Sequence, residues 1–207
     1  MKLDWSYDKF KNQEIPDRCT ELNLSLNDLT TEDIVRINFK NVKILNLNYN
    51  IISNINKFDV KNLSELHLNG NKISRVTDFD VKNLSLLRLN DNKISGINKF
   101  DVKNLTLLDL SYNRISNINK FDVKNLAKLY LSYNQISDVT NFDVQNLSEL
   151  YLYNNKIKNI ANFDVKNLTT LTPFNLKNKR NREMYFTFLF CLRIKDYSKS
   201  IHQSMYS

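Results

Sequence analysis

Apolar and polar positions alternate over short stretches of this chain, and the stretches recur as a block. Leu66-x-Leu68, Leu87-x-Leu89 and Leu108-x-Leu110 each place two apolar residues one apart. Alternation of this kind predicts a short strand with one buried face. Three residues after the second leucine comes an asparagine. Asn50, Asn71, Asn92, Asn113, Asn134 and Asn155 follow one another at a constant spacing of 21. The chain must turn there, and an asparagine side chain can bond the free backbone groups of a turn. Stacked copies would form a ladder that satisfies polar groups without a sheet partner. Ile73, Val76 and Phe79 then follow at three-residue spacing. That spacing predicts a tight 3-10-like or extended return path with one inward edge. Asp80 sits like a cap before the short turn that leads back to Leu84.

The full unit reads L-x-x-L-x-L-x-x-N-x-I-x-x-[IV]-x-x-F-D-V-x-N. One such unit cannot bury its own apolar edge, so the units must stack into a continuous core. The L-x-x-L-x-L-x-x-N-x-I core resembles the leucine-rich repeat. The short period and the Ile-x-x-[IV] that follows resemble its SDS22-like and internalin-like subclass. Seven units carry the resemblance: Leu22–Leu29, Leu45–Ile52, Leu66–Ile73, Leu87–Ile94, Leu108–Ile115, Leu129–Ile136 and Leu150–Ile157. The first interval, Asn27 to Asn50, is 23 residues, and its insertion at TTEDIVRINF is expected on the convex side. The resemblance implies an α/β leucine-rich-repeat solenoid. This is a curved right-handed coil with a parallel β-sheet on its concave face and irregular or 3-10 turns on its convex side. Such coils commonly bind other proteins. Phe58, Phe79, Phe100, Phe121, Phe142 and Phe163 stand where the family often has leucine, which implies a phenylalanine spine and a fatter convex side.

Both ends of such a sheet need covering, because open edges pair with other chains. Residues 1–14 are expected to form an N-terminal cap, with Trp5, Tyr7 and Phe10, and with Ile15-Pro16 beside it. Residues 15–176 are the solenoid, seven clear repeats and one degenerate. The degenerate unit starts with Leu168 and Leu171 and breaks at Pro173, which cannot donate to a ladder. Residues 177–207 are expected to be a basic and aromatic cap or tail. The segment MYFTFLFCLRI within it has no helical stripe and reads as a cap rather than a membrane element.

Composition narrows the classes. Two glycines and two prolines leave no flexible linker and no glycine-rich phosphate cradle. The first residues lack the apolar stretch of a secretory signal, and the run from Met184 to Leu192 is far short of a membrane span. Two cysteines cannot build a disulfide framework. Cys19 shares a column with Val42, Leu63, Leu84 and Leu105 and reads as a small buried hydrophobe. The expectation is an intracellular, cytoplasmic monomer. Asn62, Asn83, Asn104, Asn146 and Asn167 head N-L-[ST] triplets, read here as a by-product of the repeat. The formal charge is +8. The excess gathers at the end, where Lys177, Lys179, Arg180, Arg182, Arg193, Lys195 and Lys199 face only Glu183 and Asp196. Association with nucleic acid or an anionic membrane through this tail is the alternative function, since it combines cations with Tyr185, Phe186 and Phe188.

Function is expected where the repeat leaves residues free. The column between the two leucines runs Asn23, Asn46, His67, Arg88, Asp109, Tyr130, Tyr151. The next runs Ser25, Asn48, Asn69, Asn90, Ser111, Ser132, Tyr153, and the one after Leu26, Tyr49, Gly70, Asp91, Tyr112, Tyr133, Asn154. The partner-binding site is therefore expected at His67, Arg88, Asp109, Tyr112, Tyr130, Tyr133, Tyr151 and Tyr153. Tyrosine gives large contact area at low entropic cost and is enriched at binding hot spots. A second reading stays open, in which these tyrosines stack on one another and stabilise the sheet. Arg88 and Asp109 are expected to form an exposed ion pair. Lys72, Lys93, Arg114, Gln135 and Lys156 form a basic ridge on one flank, and the Asp59 to Asp164 stripe with its lysines reads as capping and mutual screening. The only histidines are His67 and His202, and no Cys/His spacing suits a metal. The expectation is a non-enzymatic scaffold for a protein partner, with no catalytic residue, cofactor or metal.

Overall fold

The computed structural model describes residues 1–10, 13–56, 58, 62–76, 83–97, 104–118, 125–139, 147–158, 168–172, 182, 183 and 186. Its strands are all three residues long. They are β1 (Lys2–Asp4), β2 (Glu21–Asn23), β3 (Ile44–Asn46), β4 (Glu65–His67), β5 (Leu86–Arg88), β6 (Leu107–Asp109), β7 (Lys128–Tyr130), β8 (Glu149–Tyr151) and β9 (Thr170–Thr172). They form one parallel sheet in sequence order. A constant period returns the same residue to the same place on each coil, so like pairs with like. Leu45 lies beside Leu66, Leu66 beside Leu87, and Leu87 beside Leu108. These central leucines are fully buried, as are the second leucines of the motif, Leu47, Leu68 and Leu89. Backbone pairing continues past each strand, with Leu68 N donating to Arg88 O at 2.8 Å and Leu110 N to Tyr130 O at 2.8 Å.

The asparagine ladder closes the turn that follows. Asn92 donates from Nδ2 to Leu68 O of the previous coil at 2.9 Å and to Leu89 O of its own at 3.1 Å. Its Oδ1 accepts from Ile73 N at 3.0 Å. Asn113 repeats this with Leu89 O, Leu110 O and Ile94 N, and Asn134 with Leu110 O, Leu131 O and Ile115 N. Each asparagine thus ties two coils together from a buried position. Each of these leucine carbonyls accepts from two successive asparagines, as Leu89 O does from Asn92 and Asn113, so the group that depends on one side chain is the isoleucine N–H, and leaving it unpaired would cost about 1–3 kcal/mol.

The residue before each asparagine takes a left-handed backbone. Leu26, Tyr49, Gly70, Asp91, Tyr112, Tyr133 and Asn154 all have φ between 52° and 64°. Such a conformation is disfavoured for side chains with a Cβ, by about 1–2 kcal/mol. Gly70 meets the demand without strain, and it serves a second purpose. A Cβ placed there would lie 2.5 Å from Cδ1 of Tyr49, whose ring covers it.

A second ladder lies at the coil corner before each strand. Ser85 Oγ donates to Ser64 O at 3.0 Å, Thr106 Oγ1 to Ser85 O at 3.0 Å, and Ser148 Oγ to Ala127 O at 3.0 Å. The asparagine two residues earlier can do likewise, as Asn62 Nδ2 does to Lys40 O at 3.0 Å. The N-L-[ST] triplets therefore have a structural cause within the repeat. Cys19 is buried in its expected column, and desolvation pushes its thiol pKa up.

The beginning of the chain holds more of the pattern than the sequence reading recognised. Residues 2–4 are a strand of the sheet, and Trp5 N, Tyr7 N and Asp8 N donate to Asn23 O, Ser25 O and Leu26 O. Leu3-x-Trp5 takes the place of Leu-x-Leu, and Tyr7 and Asp8 share the left-handed turn. Trp5 stacks on Phe10 with centroids 5.9 Å apart, and both pack against the core. The insertion after the first repeat is a short helix, α1 (Thr31–Arg36). It opens with a capping box: Asp33 N donates to Thr30 Oγ1 at 3.2 Å and Thr30 N to Asp33 Oδ2 at 2.8 Å. These hydrogen bonds from Thr30 hold the Asp33 carboxyl pKa down. Ile34 anchors the helix in the core. Of the phenylalanine spine only Phe58 is among the described residues. It is buried, with Phe39 edge-on at 5.6 Å. Phe79, Phe100, Phe121, Phe142, Phe163, Pro173 and nearly all of the tail lie outside them.

Two predictions follow from the turn. Asn113→Ala should lower stability by about 1–3 kcal/mol, because it leaves Ile94 N–H unpaired and takes one of two donors from the Leu89 and Leu110 carbonyls; chemical denaturation measures it, and Asn113→Asp should recover part of the loss by keeping the acceptor. Gly70→Ala should cost about 1–2 kcal/mol. The clash with the Tyr49 ring adds to this backbone cost, and only that added part should disappear in a Tyr49→Ala background, a coupling read from the double-mutant cycle.

Candidate functional site

Each strand sends its central leucine inward and its two flanking residues to the open face, because successive side chains alternate. The open face therefore carries two columns per strand. One is the column expected to bind: His67, Arg88, Asp109, Tyr130 and Tyr151 occupy five successive strands, each in register with the next. The other is the residue before the leucine: Glu65, Leu86, Leu107, Lys128 and Glu149, all half-buried. Sequence reasoning passed over this second column. The signal was present, since a residue two positions from another on a strand shares its face.

At the amino-terminal side the face is occupied with its own backbone. Asn23 Oδ1 accepts from Ser25 N at 3.1 Å, and Asn46 Oδ1 accepts from Asn48 N at 3.0 Å. Asp4 does the same for Ser6 N at 3.1 Å, and the Ser6 side chain and then its backbone N–H hold the Asp4 carboxyl pKa down. These are Asx turns, side chains that bond the backbone two residues on. Asp109 belongs to the same series and accepts from Ser111 N at 3.0 Å. The expected ion pair between Arg88 and Asp109 does not form; the ion pairs among the described residues are Lys2–Glu21, His67–Glu65 and Lys128–Glu149. The carboxylate is held by a nearer partner, a backbone N–H fixed by the turn, whereas Arg88 stays exposed. His67 lies 3.8 Å from Glu65. Burial, followed by the charge of Arg88, lowers the pKa of His67 and outweighs Glu65. The imidazole is thus neutral at physiological pH, and its contact with Glu65 is not a full ion pair.

The carboxyl-terminal side is aromatic. Tyr130 and Tyr151 stack with ring centroids 4.7 Å apart and planes at 17°. Tyr112 and Tyr133 stack at 4.2 Å and 10°, and Tyr153 meets Tyr133 edge-on at 5.5 Å. The stacking follows from the register, which brings equivalent positions about 4.8 Å apart. Beside them Lys128 Nζ and Glu149 Oε1 pair at 2.7 Å, and Tyr130 Oη donates to Glu149 Oε2 at 3.4 Å. The lysine contact holds the Glu149 carboxyl pKa down and raises that of Lys128. Burial, then the charge of Glu149, raises the Tyr130 phenol. The five tyrosines present ring edges and faces. Tyr112 remains 53% exposed, Tyr153 44% and Tyr133 37%. The tyrosines stack, and a large share of the surface of Tyr112, Tyr133 and Tyr153 stays open.

The remaining candidates fall elsewhere. Lys72, Lys93, Arg114 and Lys156 are exposed along one flank, as the basic ridge requires. The aspartate stripe and its lysines lie outside the described residues, as does nearly all of the tail, from which only Arg182, Glu183 and Phe186 are placed, all exposed. A hollow of about 890 Å³ lies between residues 13–17 and α1, lined by Phe10, Glu14, Pro16, Leu29, Asp33 and Arg36. Its Asp33 is already committed to the helix cap. Among the described residues no group of three His, Cys, Asp or Glu side chains could hold a metal ion. No helix among them is long and apolar enough to cross a membrane.

Comparison with known proteins agrees with this geometry. Residues 103–144 match the family described as Leucine Rich repeats (2 copies), and residues 20–37 match Leucine Rich repeat. No curated protein matches the sequence as a whole. Among solved structures, internalin C2 from Listeria monocytogenes is similar at 24% identity and a TM-score of 0.51, over 70% of this chain and 76% of that one. The internalin InlF from the same organism is similar at 22% identity and a TM-score of 0.56, over 75% of this chain. The match spans about half of InlF, 54% of its length. At these identities the likeness establishes the fold. Leucine-rich-repeat proteins generally act as protein-interaction scaffolds. Residues 20–37 and 103–144 thus carry leucine-rich repeats, and the stacked coils share the fold of the internalins.

Proposed function

We propose that the protein is a non-enzymatic scaffold that holds a protein partner against the open, concave face of its sheet. The observation that carries this reading is the contrast between fixed and free positions. Leucines, isoleucines and asparagines repeat with little change around every coil, while the open face changes from amides through charges to tyrosines. Stability of the coil needs the first set, and the second set varies without disturbing the register. The contact surface is His67, Arg88 and Asp109 together with Tyr112, Tyr130, Tyr133, Tyr151 and Tyr153. The half-buried Lys128–Glu149 pair stiffens it by holding Tyr130. Stacked tyrosines lose little freedom on binding, because the stack has already ordered them. The mechanism is complementarity of shape and polarity.

Replacing Tyr130 and Tyr151 by alanine should weaken capture of the partner from the source cell at least about tenfold, with the coil intact by circular dichroism. Capture that persists undiminished would refute the assignment of the tyrosine face.

A further inference from the structure

We propose that β1 pairs with its counterpart in a second copy of this chain, so that two solenoids meet end to end through one continuous sheet. In place of a cover over the first edge, Lys2–Asp4 adds one more strand and becomes the edge itself. Glu21 N donates to Met1 O at 3.2 Å and Trp5 N to Asn23 O at 2.8 Å, so the odd-numbered residues turn their backbone groups toward β2. Alternation along the strand then points the N–H and C=O of Lys2 and Asp4 away from the sheet. Among the described residues nothing bonds these four groups.

The residues of this edge are their own complement. A twofold axis perpendicular to the sheet at Leu3 sets two copies of β1 antiparallel, with Lys2 of each opposite Asp4 of the other. Residues 2 and 4 are the ones with outward backbone groups, and opposed residues of an antiparallel pair can exchange both bonds. All four outward groups of each copy are then satisfied. The side chains of Lys2 and Asp4 flank an inward leucine and so lie on the open face, where each lysine meets an aspartate across the junction. Lys2 is free to do so, since its side chain is 76% exposed and its contact with Glu21 is 3.6 Å long. Asp4 is also exposed, and its bonds from Ser6 N and Asn23 Nδ2 both fall on Oδ1.

The core side of the edge continues the fit. Leu3, Trp5, Phe10 and Ile15 pack against the core from the first coil, and all four remain only half-buried. On the twofold axis Leu3 meets its own copy, as the close pair of an antiparallel ladder. Charged residues keep the edge strands of monomers apart when like charges come to face each other. Lys-x-Asp does the reverse, because the pairing that satisfies the backbone also sets unlike charges opposite. A parallel neighbour would need the far edge of the sheet and would build an open chain of copies, whereas this pairing closes at two. The axis also keeps both open faces on the same side of the joined sheet.

The test is sedimentation equilibrium on the full chain. Its mass should rise from one copy to two as the concentration increases, and stop there. Lys2→Asp and Asp4→Lys each place like charges across the junction and should weaken the dimer at least about tenfold, with the coil intact by circular dichroism. Mixed one to one, the two variants should form a dimer with one copy of each, because lysines again stand opposite aspartates. Asp4→Lys also gives up the bond to Ser6 N and can fail to fold. Lys2→Asp changes an exposed side chain and then decides by its salt response. Rising salt should weaken the dimer of the unchanged chain and strengthen that of Lys2→Asp, opposite trends that a damaged fold does not produce. A single copy at every concentration overturns the proposal, as does a dimer indifferent to these substitutions or a mixture of folded variants that stays monomeric.

Discussion

The asparagine between successive coils is the contact on which the rest of this structure depends. A parallel sheet of three-residue strands supplies few backbone bonds per coil, and each chain turn leaves donors and acceptors that face the core. One carboxamide per coil satisfies a backbone N–H and two carbonyls, and its partners belong to two coils. The bond therefore acts as turn and as weld at once. It also sets the conformation before it. The carboxamide reaches inward because the preceding residue is left-handed, a conformation that seven successive turns repeat even where that residue is leucine or tyrosine. The local strain is tolerated because the buried bonds it permits are worth more than it costs.

That strained position connects the ladder to the proposed binding surface. Tyr49, Tyr112 and Tyr133 stand at the left-handed residue, so the turn itself lifts their rings to the rim of the sheet. There they lean on the next coil, Tyr49 over Gly70 and Tyr112 against Tyr133. Rings in this position are ordered by the frame and still open to solvent. The face they border is built by the same register, which sets Arg88 beside Asp109 and Tyr130 beside Tyr151. A solenoid of this kind separates its tasks cleanly. The inward residues repeat because every coil meets the same neighbours, and the outward ones are free to differ.

The limits of the sequence reading have particular causes. The first coil escaped notice because Trp5 replaces a leucine, Asp8 stands at the ladder position, and the interval from Leu3 to Leu22 is shorter than the repeat. A period search follows spacing, whereas the sheet needs only a strand that fits. Helix α1 was readable in principle from Thr30 and Asp33, yet it lay inside an insertion where the repeat offered no template. The column from Glu65 to Glu149 was missed because the motif writes those positions as unspecified, although strand alternation puts them on the same face as His67 and Tyr151. The expected Arg88–Asp109 pair failed for a local reason, since the backbone N–H of Ser111 takes the carboxylate.

What the sequence determined by itself was the coil: its period, its buried columns, its asparagine ladder and its in-phase parallel pairing. Those follow from one-dimensional spacing, because a constant period makes each coil's neighbour a copy of itself. Only the tertiary structure decided how the free residues meet. It paired Lys128 with Glu149, stacked the tyrosines while leaving much of their surface open, and gave the Asp109 carboxylate to the Ser111 backbone. The physical reason is that side chains on neighbouring coils compete for partners over a few ångströms. That competition is settled by distance and geometry, which a repeat period does not encode.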